Sequence, residues 1–167
     1  MQLSFMPAAL RRWDELLTEP ADIGSLVLSF FSDERPLRGV AGLADWRLCG
    51  QLSRLIVAGH LTGEKGESLM MPASRRLPFD RIFLFGLGSG ERMDESRFTE
   101  HAKWMCDVLK RAGAVDYAIQ VPGRATGLIG AQRAGQLWQA EALAHSERVT
   151  LIDSQGAHKE LGDLLVG

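Results

Sequence analysis

The sequence lacks the features that mark several large classes of protein. Its two cysteines, Cys49 and Cys106, are too far apart for a CxxC motif and too few for a disulfide framework. No apolar run reaches the roughly 20 residues that span a bilayer, and the N-terminus has neither the basic nor the apolar region of a signal peptide. We therefore expect a cytoplasmic protein with reduced thiols and no membrane partner.

A strong charge of either sign is also missing. The chain has 19 lysines and arginines against 21 aspartates and glutamates, so its formal net charge is −2. Such a chain has no global field that would attract nucleic acid or an anionic membrane. The pairs Arg11–Arg12 and Arg75–Arg76 are interpreted as solvated surface, and nucleic acid is not an expected partner.

Length and composition are those of one soluble globular domain. A chain of 167 residues can bury roughly 70% of its extended surface in a single core. Hydrophobic residues make up 46% and charged residues 24%, which are ordinary proportions for a globular protein. No repeat, low-complexity tract or linker divides the chain, so residues 1–167 are predicted to form a single domain.

The stretch Leu77–Gly90 predicts the start of a βαβ unit. Within it, Arg81–Leu87 is a short apolar run closed by glycines, a pattern typical of a strand buried on both faces in the centre of a parallel sheet. Asp94 can cap a following helix over Asp94–Arg111, whose apolar residues recur at helical spacing. These apolar residues are Phe98, Ala102, Met105, Cys106 and Leu109.

Similar patterns elsewhere predict about six strands and five helices that mostly alternate. The other predicted strands are Gln2–Met6, Ser25–Phe31, Ser68–Met71, Asp116–Val121 and Arg148–Ile152. The other predicted helices are Ala8–Leu17, Gly39–Gly59, Ala125–Leu143 and Ala157–Leu165, and Glu19–Gly24 is predicted to be a turn. This alternation indicates an α/β fold, a three-layer α/β/α domain with a mixed, mainly parallel sheet.

Two consecutive stretches resemble a known family. The segments GLADWRLCGQLSRLIVAGHLTGEKGESLMMP and RLPFDRIFLFGLGSGE are similar to the N-terminal domain of the leucyl aminopeptidases. The matching features are a helix with the pattern Gly50–Leu55, a turn at Leu61–Gly66 and a strand that ends in Gly86–Gly88. The resemblance implies an architecture similar to that of macro domains, with a mixed sheet between helical layers.

The resemblance also implies where catalysis does not lie. In that family, two metal ions are held by a separate C-terminal domain, partly within an N-T-D-A-E-G-R-type segment, and this chain has no such segment. The acidic residues here lie in predicted turns and caps without a convergent set, as two-metal hydrolysis would need. They include Glu64, Glu67, Glu91, Asp94 and Glu95. We therefore expect no catalytic residue, metal or cofactor, and a chain that is not an enzyme.

The glycine turn after the predicted strand is the candidate ligand site. Backbone N–H groups at a strand-to-helix turn can cradle a phosphate. The candidate binding residues are Gly86, Gly88, Ser89 and Gly90. The turn matches neither G-x-G-x-x-G nor a P-loop, and a tight turn that simply needs glycine is the alternative interpretation. Because macro domains bind ADP-ribose, a nucleotide ligand stays open, with the loop after Val121 as a second contact.

Cysteine, histidine and tryptophan supply weaker signals. His101 and Cys106 are five residues apart on a helix, which does not suit a shared metal ion, and Cys106 is interpreted as a buried thiol. Partly exposed tryptophans on helices are good interface anchors, although packing between helices is the alternative for any one of them. The four tryptophans, which together favour a protein-contact surface, are Trp13, Trp46, Trp104 and Trp138.

The leading hypothesis is a non-catalytic interaction or assembly domain, which associates with itself or with a partner protein. The resemblance supports it, because the aminopeptidases of that family are hexamers in which this domain lies outside the catalytic core. The alternative is a macro-like binder of ADP-ribose or a related nucleotide at Gly86–Gly90. Association with DNA is a third interpretation, which the mild acidity of the chain disfavours.

Overall fold

The computed structural model describes residues 1–18 and 23–165, apart from the side chain of Arg92. The predicted turn at Glu19–Gly24 therefore lies largely outside the described residues. Within the described ranges, no helix combines the length and the apolar character needed to cross a membrane.

One six-stranded sheet lies between two layers of helices. The strands are β1 (Gln2–Pro7), β2 (Ser25–Phe30), β3 (Ser68–Pro72), β4 (Arg81–Gly86), β5 (Asp116–Ile119) and β6 (Arg148–Asp153). The helices are α1 (Leu10–Thr18), α2 (Gly39–Arg47), α3 (Gln51–Val57), α4 (Glu95–Arg111), α5 (Ala131–Ala142) and α6 (Ala157–Leu165). The strand order is β1-β6-β5-β2-β4-β3, and every pair is parallel except β3 with β4. The predicted three-layer α/β/α class with a mixed, mainly parallel sheet is confirmed.

The two faces of the sheet bury separate apolar clusters. Leu26 and Leu28 of β2 pack with α1, α2 and α3. Val27, between them, points to the other face and packs with α4, α5 and α6. Side chains alternate across a strand, so a strand covered on both faces reads as a continuous apolar run.

The apolar run that predicts a central strand is β4, but β4 is not central. It lies second from one edge, between β2 and the antiparallel β3. Ile82 and Leu84 belong to the cluster under α1, α2 and α3, whereas Phe83 and Phe85 belong to the cluster under α4, α5 and α6. Both helical layers extend over this strand, so burial on both faces does not require a central position.

The single helix predicted over Gly39–Gly59 is wrong, because the structure has two helices there. Cys49 and Gly50 adopt positive φ angles of 56° and 79°, which end α2 and turn the chain. The Asp45 carboxylate then accepts hydrogen bonds from the N–H groups of Leu52 (2.8 Å) and Ser53 (3.1 Å), which caps α3. The apolar spacing continues through the break and therefore does not reveal it.

The helix predicted over Ala125–Leu143 begins later than expected, at Ala131. The chain before it forms turns, with positive φ angles of 81° at Gly123 and 70° at Gly127. Residues in that conformation cannot continue a right-handed helix. The segment predicted as the first turns of a helix is instead a loop at the end of β5.

We expect Asp45→Ala to lower the free energy of unfolding by about 1 kcal/mol, because the first N–H groups of α3 lose their acceptor. Denaturant titration followed by circular dichroism measures this. Asp14→Ala is the matched control, because the exposed Asp14 carboxylate pairs with Arg47 at the surface (2.6 Å). Such surface pairs contribute at most about 1 kcal/mol and often less. Equal stability of wild type and Asp45→Ala would contradict the capping role.

Candidate functional site

The carboxyl ends of β2, β4 and β5 form the candidate site. β2 lies between the other two strands and runs parallel to both. The chain leaves β2 toward the helical layer of α2, and it leaves β4 and β5 toward the opposite layer, which contains α4 and α5. In open α/β sheets, ligands bind in the crevice where neighbouring connections diverge in this way.

The crevice is filled by the side chains of the protein itself. The cavity between Phe31, Glu34, Leu87 and Gln120 has a volume of about 10 Å³. That volume holds about one water molecule, whereas ligand pockets usually measure roughly 300 to 1,000 Å³. This inner part of the crevice does not admit a nucleotide.

Gln120 closes the crevice against the start of α2. Its Oε1 atom accepts a hydrogen bond from the Val40 N–H group at 2.8 Å, so one of the free amides of the helix N-terminus already has a partner. The contact depends on Gly39, where an added Cβ would lie 2.2 Å from Gln120 Oε1 and 2.7 Å from Ala125 Cβ. The loop after β5 therefore lies directly on the N-terminus of α2.

The predicted glycine turn lies beside this crevice, at the end of β4. At Gly86, a Cβ would lie 2.1 Å from the Glu64 carbonyl oxygen, so the close approach of two backbone segments requires glycine there. Gly88 has a φ of 74°, which also favours glycine. The backbone therefore requires or favours glycine at both positions, whether or not a ligand binds.

The N–H groups of the three glycines in the turn, Gly86, Gly88 and Gly90, donate to protein acceptors. The Gly88 N–H group donates to the Gly63 carbonyl at 2.8 Å. The Gly90 N–H group donates to the Asp33 carboxylate at 3.1 Å, and the Ser89 hydroxyl is 3.4 Å from the same carboxylate. A phosphate at Gly90 would have to displace Asp33. Ligand binding by Gly86, Gly88, Ser89 and Gly90 stays a prediction.

A second cavity lies just outside the filled crevice. It has a volume of about 290 Å³ and lies between the loops that follow β2, β4 and β5. Its polar lining includes Asp33, Glu34, Arg38, Gly90 and Thr126. The Thr126 Oγ1 atom is buried and has no hydrogen-bond partner among the residues that the structure describes.

Glu34 is a buried carboxyl group in the walls of both cavities. It is 5% exposed, and its carboxylate accepts a hydrogen bond from the Arg38 N–H group at 3.1 Å. Burial raises the pKa of Glu34 above its ordinary value of 4.5, although the hydrogen bonds from the backbone oppose the shift. The sequence analysis missed Asp33, Glu34 and Thr126. Asp33 and Glu34 follow the end of β2 closely and Thr126 lies in the loop after β5, but no local sequence pattern marks any of the three.

The neighbouring loop after α3 is held by a second carboxylate. Desolvation alone would raise the pKa of Glu67, but hydrogen bonds from Gly63 and Thr62 hold it below 4.5. These bonds include the Thr62 hydroxyl at 2.8 Å and the Gly63 N–H group at 2.9 Å. Arg35 then joins this loop to the loop after β2, because its guanidinium donates to the carbonyls of Thr62 and Glu34, both at 2.8 Å.

A buried ion pair anchors the loop after β5. The Arg124 guanidinium donates to both carboxylate oxygens of Asp153, at 2.7 and 3.1 Å, and to the Ile129 carbonyl at 2.8 Å. The two side chains are 16% and 9% exposed. Together with Gln120, this pair holds the loop in the position that fills the crevice.

The other candidate residues have structural surroundings. Cys106 is buried as predicted, and burial raises the pKa of its thiol to about 12. Burial has the opposite effect on His101, because it disfavours the charged imidazolium and so lowers the pKa below 6.5. Asp94 caps α4 by accepting a hydrogen bond from the Arg97 N–H group at 2.8 Å. Among the residues that the structure describes, no group of three histidines, cysteines, aspartates or glutamates could hold a metal ion.

The four tryptophans do not form one exposed surface. Trp13 and Trp138 are fully buried against the sheet, so the interface interpretation is wrong for these two. Trp104 is half-buried, with its ring centroid 5.2 Å from that of Phe85. Trp46 is 75% exposed. It lies on the wall of an open groove of about 840 Å³ with Pro36 and Leu37.

Solved structures with the same architecture include macrodomains. The macro domain of ganglioside-induced differentiation-associated protein 2 aligns with a TM-score of 0.68 at 13% identity, covering 98% of this chain and 81% of that one. DarTG of Thermosipho africanus, solved in complex with ADP-ribose, aligns with a TM-score of 0.59 at 12% identity, covering 80% and 39%. Tomato leucine aminopeptidase aligns with a TM-score of 0.59 at 14% identity, covering 97% and 35%. These likenesses define a macrodomain-like fold.

The sequence comparisons identify the family. The model of the cytosol aminopeptidase family, N-terminal domain, matches residues 27–147, and the chain belongs to this family. Probable cytosol aminopeptidases of Idiomarina loihiensis and Geobacter sp. (strain M21) are 26% identical over 133 residues and 30% identical over 98 residues. The matches cover 77% and 59% of this chain but only 24% and 20% of those relatives. The matched regions thus span less than a quarter of the length of these relatives.

We expect Asp153→Asn to lower the free energy of unfolding by about 2 kcal/mol, because the partly buried Arg124 guanidinium would lose its counter-charge. Denaturant titration measures the loss, and faster hydrogen exchange in the loop after β5 would locate it. Glu95→Gln is the matched control, because Glu95 and Arg133 form an equally bidentate pair (both contacts 2.7 Å) on the open surface. The control should lose much less stability. Similar losses in the two variants would contradict the anchoring role.

Proposed function

We propose that this chain is a non-catalytic protein-interaction domain of the cytosol aminopeptidase type. The observation that carries the proposal is the filled crevice. At the point where an α/β sheet would bind a substrate or nucleotide, Gln120 and Glu34 leave about 10 Å³. Because the inner part of the crevice is filled, we assign the interaction to the outer surface of the domain.

The distribution of carboxylates supports a non-catalytic role. Two-metal hydrolysis needs several carboxylates converging on ions roughly 4 Å apart. Several acidic side chains have structural roles instead: Asp45 and Asp94 cap helices, and Glu67 holds a loop. No convergent set of metal ligands lies among these residues.

Family membership suggests the partner. In the curated relatives, the matched region is about a fifth to a quarter of a longer aminopeptidase chain. The proposed binding partner of this domain is therefore an aminopeptidase-type catalytic domain. Trp46, at 75% exposure beside Pro36 and Leu37, is the candidate anchor, since exposed aromatic residues often dominate the energy of interfaces.

We expect the tagged protein to capture an aminopeptidase-type chain from its native lysate in a fixed stoichiometry, and Trp46→Ala to reduce the recovery at least about tenfold. Quantitative mass spectrometry provides the measurement. Leu143→Ala is the matched control, because Leu143 is also an exposed apolar residue (57%) and is located after α5, in the opposite helical layer. Leucine p-nitroanilide hydrolysis by the purified, metal-supplemented chain would contradict the proposal.

Nucleotide binding is a second candidate function. The macrodomain-like fold and the cavity of about 290 Å³ beside Gly90 favour it. The ligand would be ADP-ribose or a related nucleotide, with a phosphate at the N–H groups of Gly86–Gly90. The Asp33 carboxylate opposes phosphate binding, because it already accepts the hydrogen bond from the Gly90 N–H group and would repel a phosphate.

If the glycine turn binds phosphate, Asp33→Ala should increase the affinity for ADP-ribose at least about tenfold, since it frees a donor and removes a like charge. Isothermal titration calorimetry measures the affinity, with Asp107→Ala, a surface change on α4, as the control. Gly88→Trp should abolish binding, provided that thermal melting shows a folded variant. Unchanged affinity in the Asp33 and Gly88 variants would remove this site from consideration.

A further inference from the structure

The six methionines of the chain differ widely in their exposure to solvent. Met70, in the outermost strand β3, is 56% exposed, and Met1, at the start of the chain, is 38% exposed. The other four are half-buried or buried: Met6, Met71, Met93 and Met105. An oxidant that attacks methionine sulfur from solvent therefore has its best access at Met70.

The sulfur of Met70 lies beside the guanidinium group of Arg81. The Arg81 Nη1 atom donates a hydrogen bond to Met70 Sδ at 3.8 Å. Met70 is directly opposite Phe83 in the pairing of β3 with β4, so both side chains lie on the face of the sheet that α4 covers. Arg81 precedes Phe83 by two residues in β4 and points to the same face.

Three further contacts hold the Arg81 guanidinium in place. Its Nε atom donates to the Oγ atom of the buried Ser25 at 3.0 Å. Its Nη2 atom donates to the Ala112 carbonyl, just after α4, at 3.2 Å. The guanidinium carbon also lies 5.0 Å from the centroid of the Phe83 ring. Because the guanidinium is a rigid planar fork, these contacts also fix the direction of the Nη1 donor.

Met70 is a poor acceptor for this donor as it stands. A thioether sulfur accepts hydrogen bonds only weakly, whereas oxidation to the sulfoxide makes the side chain polar and adds an oxygen acceptor. Hydrogen bonds from a charged donor are roughly twice as strong as neutral ones. The methionine side chain has three rotatable bonds, so the new oxygen can turn toward Nη1 without a shift of the strand.

We propose that Met70 is a modification site for peroxides, at which the sulfoxide oxygen formed on Sδ accepts a hydrogen bond from the Arg81 guanidinium. A sulfur lone pair attacks one oxygen of hydrogen peroxide, the S–O bond forms and the O–O bond breaks. The sulfur is oxidised by two electrons, and the second peroxide oxygen leaves with both protons as water. Arg81 keeps all its protons. Methionine sulfoxide reductases reverse such a modification.

The modification changes the surface of β3 while the strand stays in place. Leu69 and Met71 pack on the core cluster of the opposite face and do not take part in the reaction. β3 has the sequence SLMMP without a charged residue, so the sulfoxide gives this edge a strongly polar group. The site is independent of the proposed function, because Trp46 belongs to α2, in the other helical layer.

Peptide mapping by mass spectrometry after limited treatment with hydrogen peroxide tests the selectivity. In the folded protein, Met70 should be oxidised at least about tenfold faster than the buried Met6 and Met105. In urea, the rates should become similar, because the selectivity comes from the fold. Methionine sulfoxide reductase should return the Met70 peptide to its original mass.

Thermal melting tests the role of Arg81. Oxidation should raise the melting temperature of the wild type by about 2 to 4 °C relative to its effect on Arg81→Gln, which lacks the charged donor. Met70→Leu is the matched control, because it removes the sulfur and should show no such gain on oxidation. Met70→Gln supplies an amide oxygen in place of the sulfoxide and should melt above Met70→Leu without oxidant. This last comparison keeps the test valid if Arg81→Gln does not fold.

Two results would overturn the proposal. The first is oxidation of Met70 in the folded protein no faster than that of Met6 and Met105. The second is an equal effect of oxidation on wild type and Arg81→Gln or, where Arg81→Gln does not fold, equal melting temperatures of Met70→Gln and Met70→Leu.

Discussion

The parallel pairing of β2 with both β4 and β5 is the constraint on which the rest of this structure depends. It brings the loops after three strands to one end of the sheet, although they are far apart in sequence. Because the connections then diverge to opposite faces, a crevice is unavoidable at that end. Such a crevice can be filled by side chains, occupied by water or used to bind a ligand. Here side chains of the loops fill its inner part, and a cavity of about 290 Å³ remains just outside.

Filling the crevice satisfies polar groups that a ligand would otherwise serve. The N-terminus of a helix leaves N–H groups without partners, and in a binding site an anion often takes them. In this domain the Gln120 side chain accepts from the start of α2, and the Asp33 carboxylate accepts from the glycine turn. Asp33 and a phosphate carry charge of the same sign, so they compete for the same donor. The similarity to macrodomains is therefore a similarity of backbone fold, and the side chains determine which function that fold can perform.

Much of the architecture could be predicted from local patterns. Apolar runs located all six strands, and helical periodicity located α1, α4 and α6 closely. The break between α2 and α3 could not be predicted from spacing, because the apolar stripe continues through Cys49 and Gly50 while the backbone does not. The glycine turn was found for its composition, but its neighbour Asp33 was missed, because a single aspartate in a loop has no recognisable pattern. The candidate site was therefore only half visible in the sequence.

The sequence by itself determined the class of fold, the separation of the chain into buried and exposed faces, and the resemblance to the aminopeptidase N-terminal domain. These properties follow from periodicity and from glycines at turns, which act within a few residues. Only the tertiary structure decided that β4 lies near an edge, that the inner part of the crevice is filled and that β3 is the outermost strand. Each of these depends on which distant strands become neighbours, and that choice is made by packing across the whole sheet rather than by any local stretch.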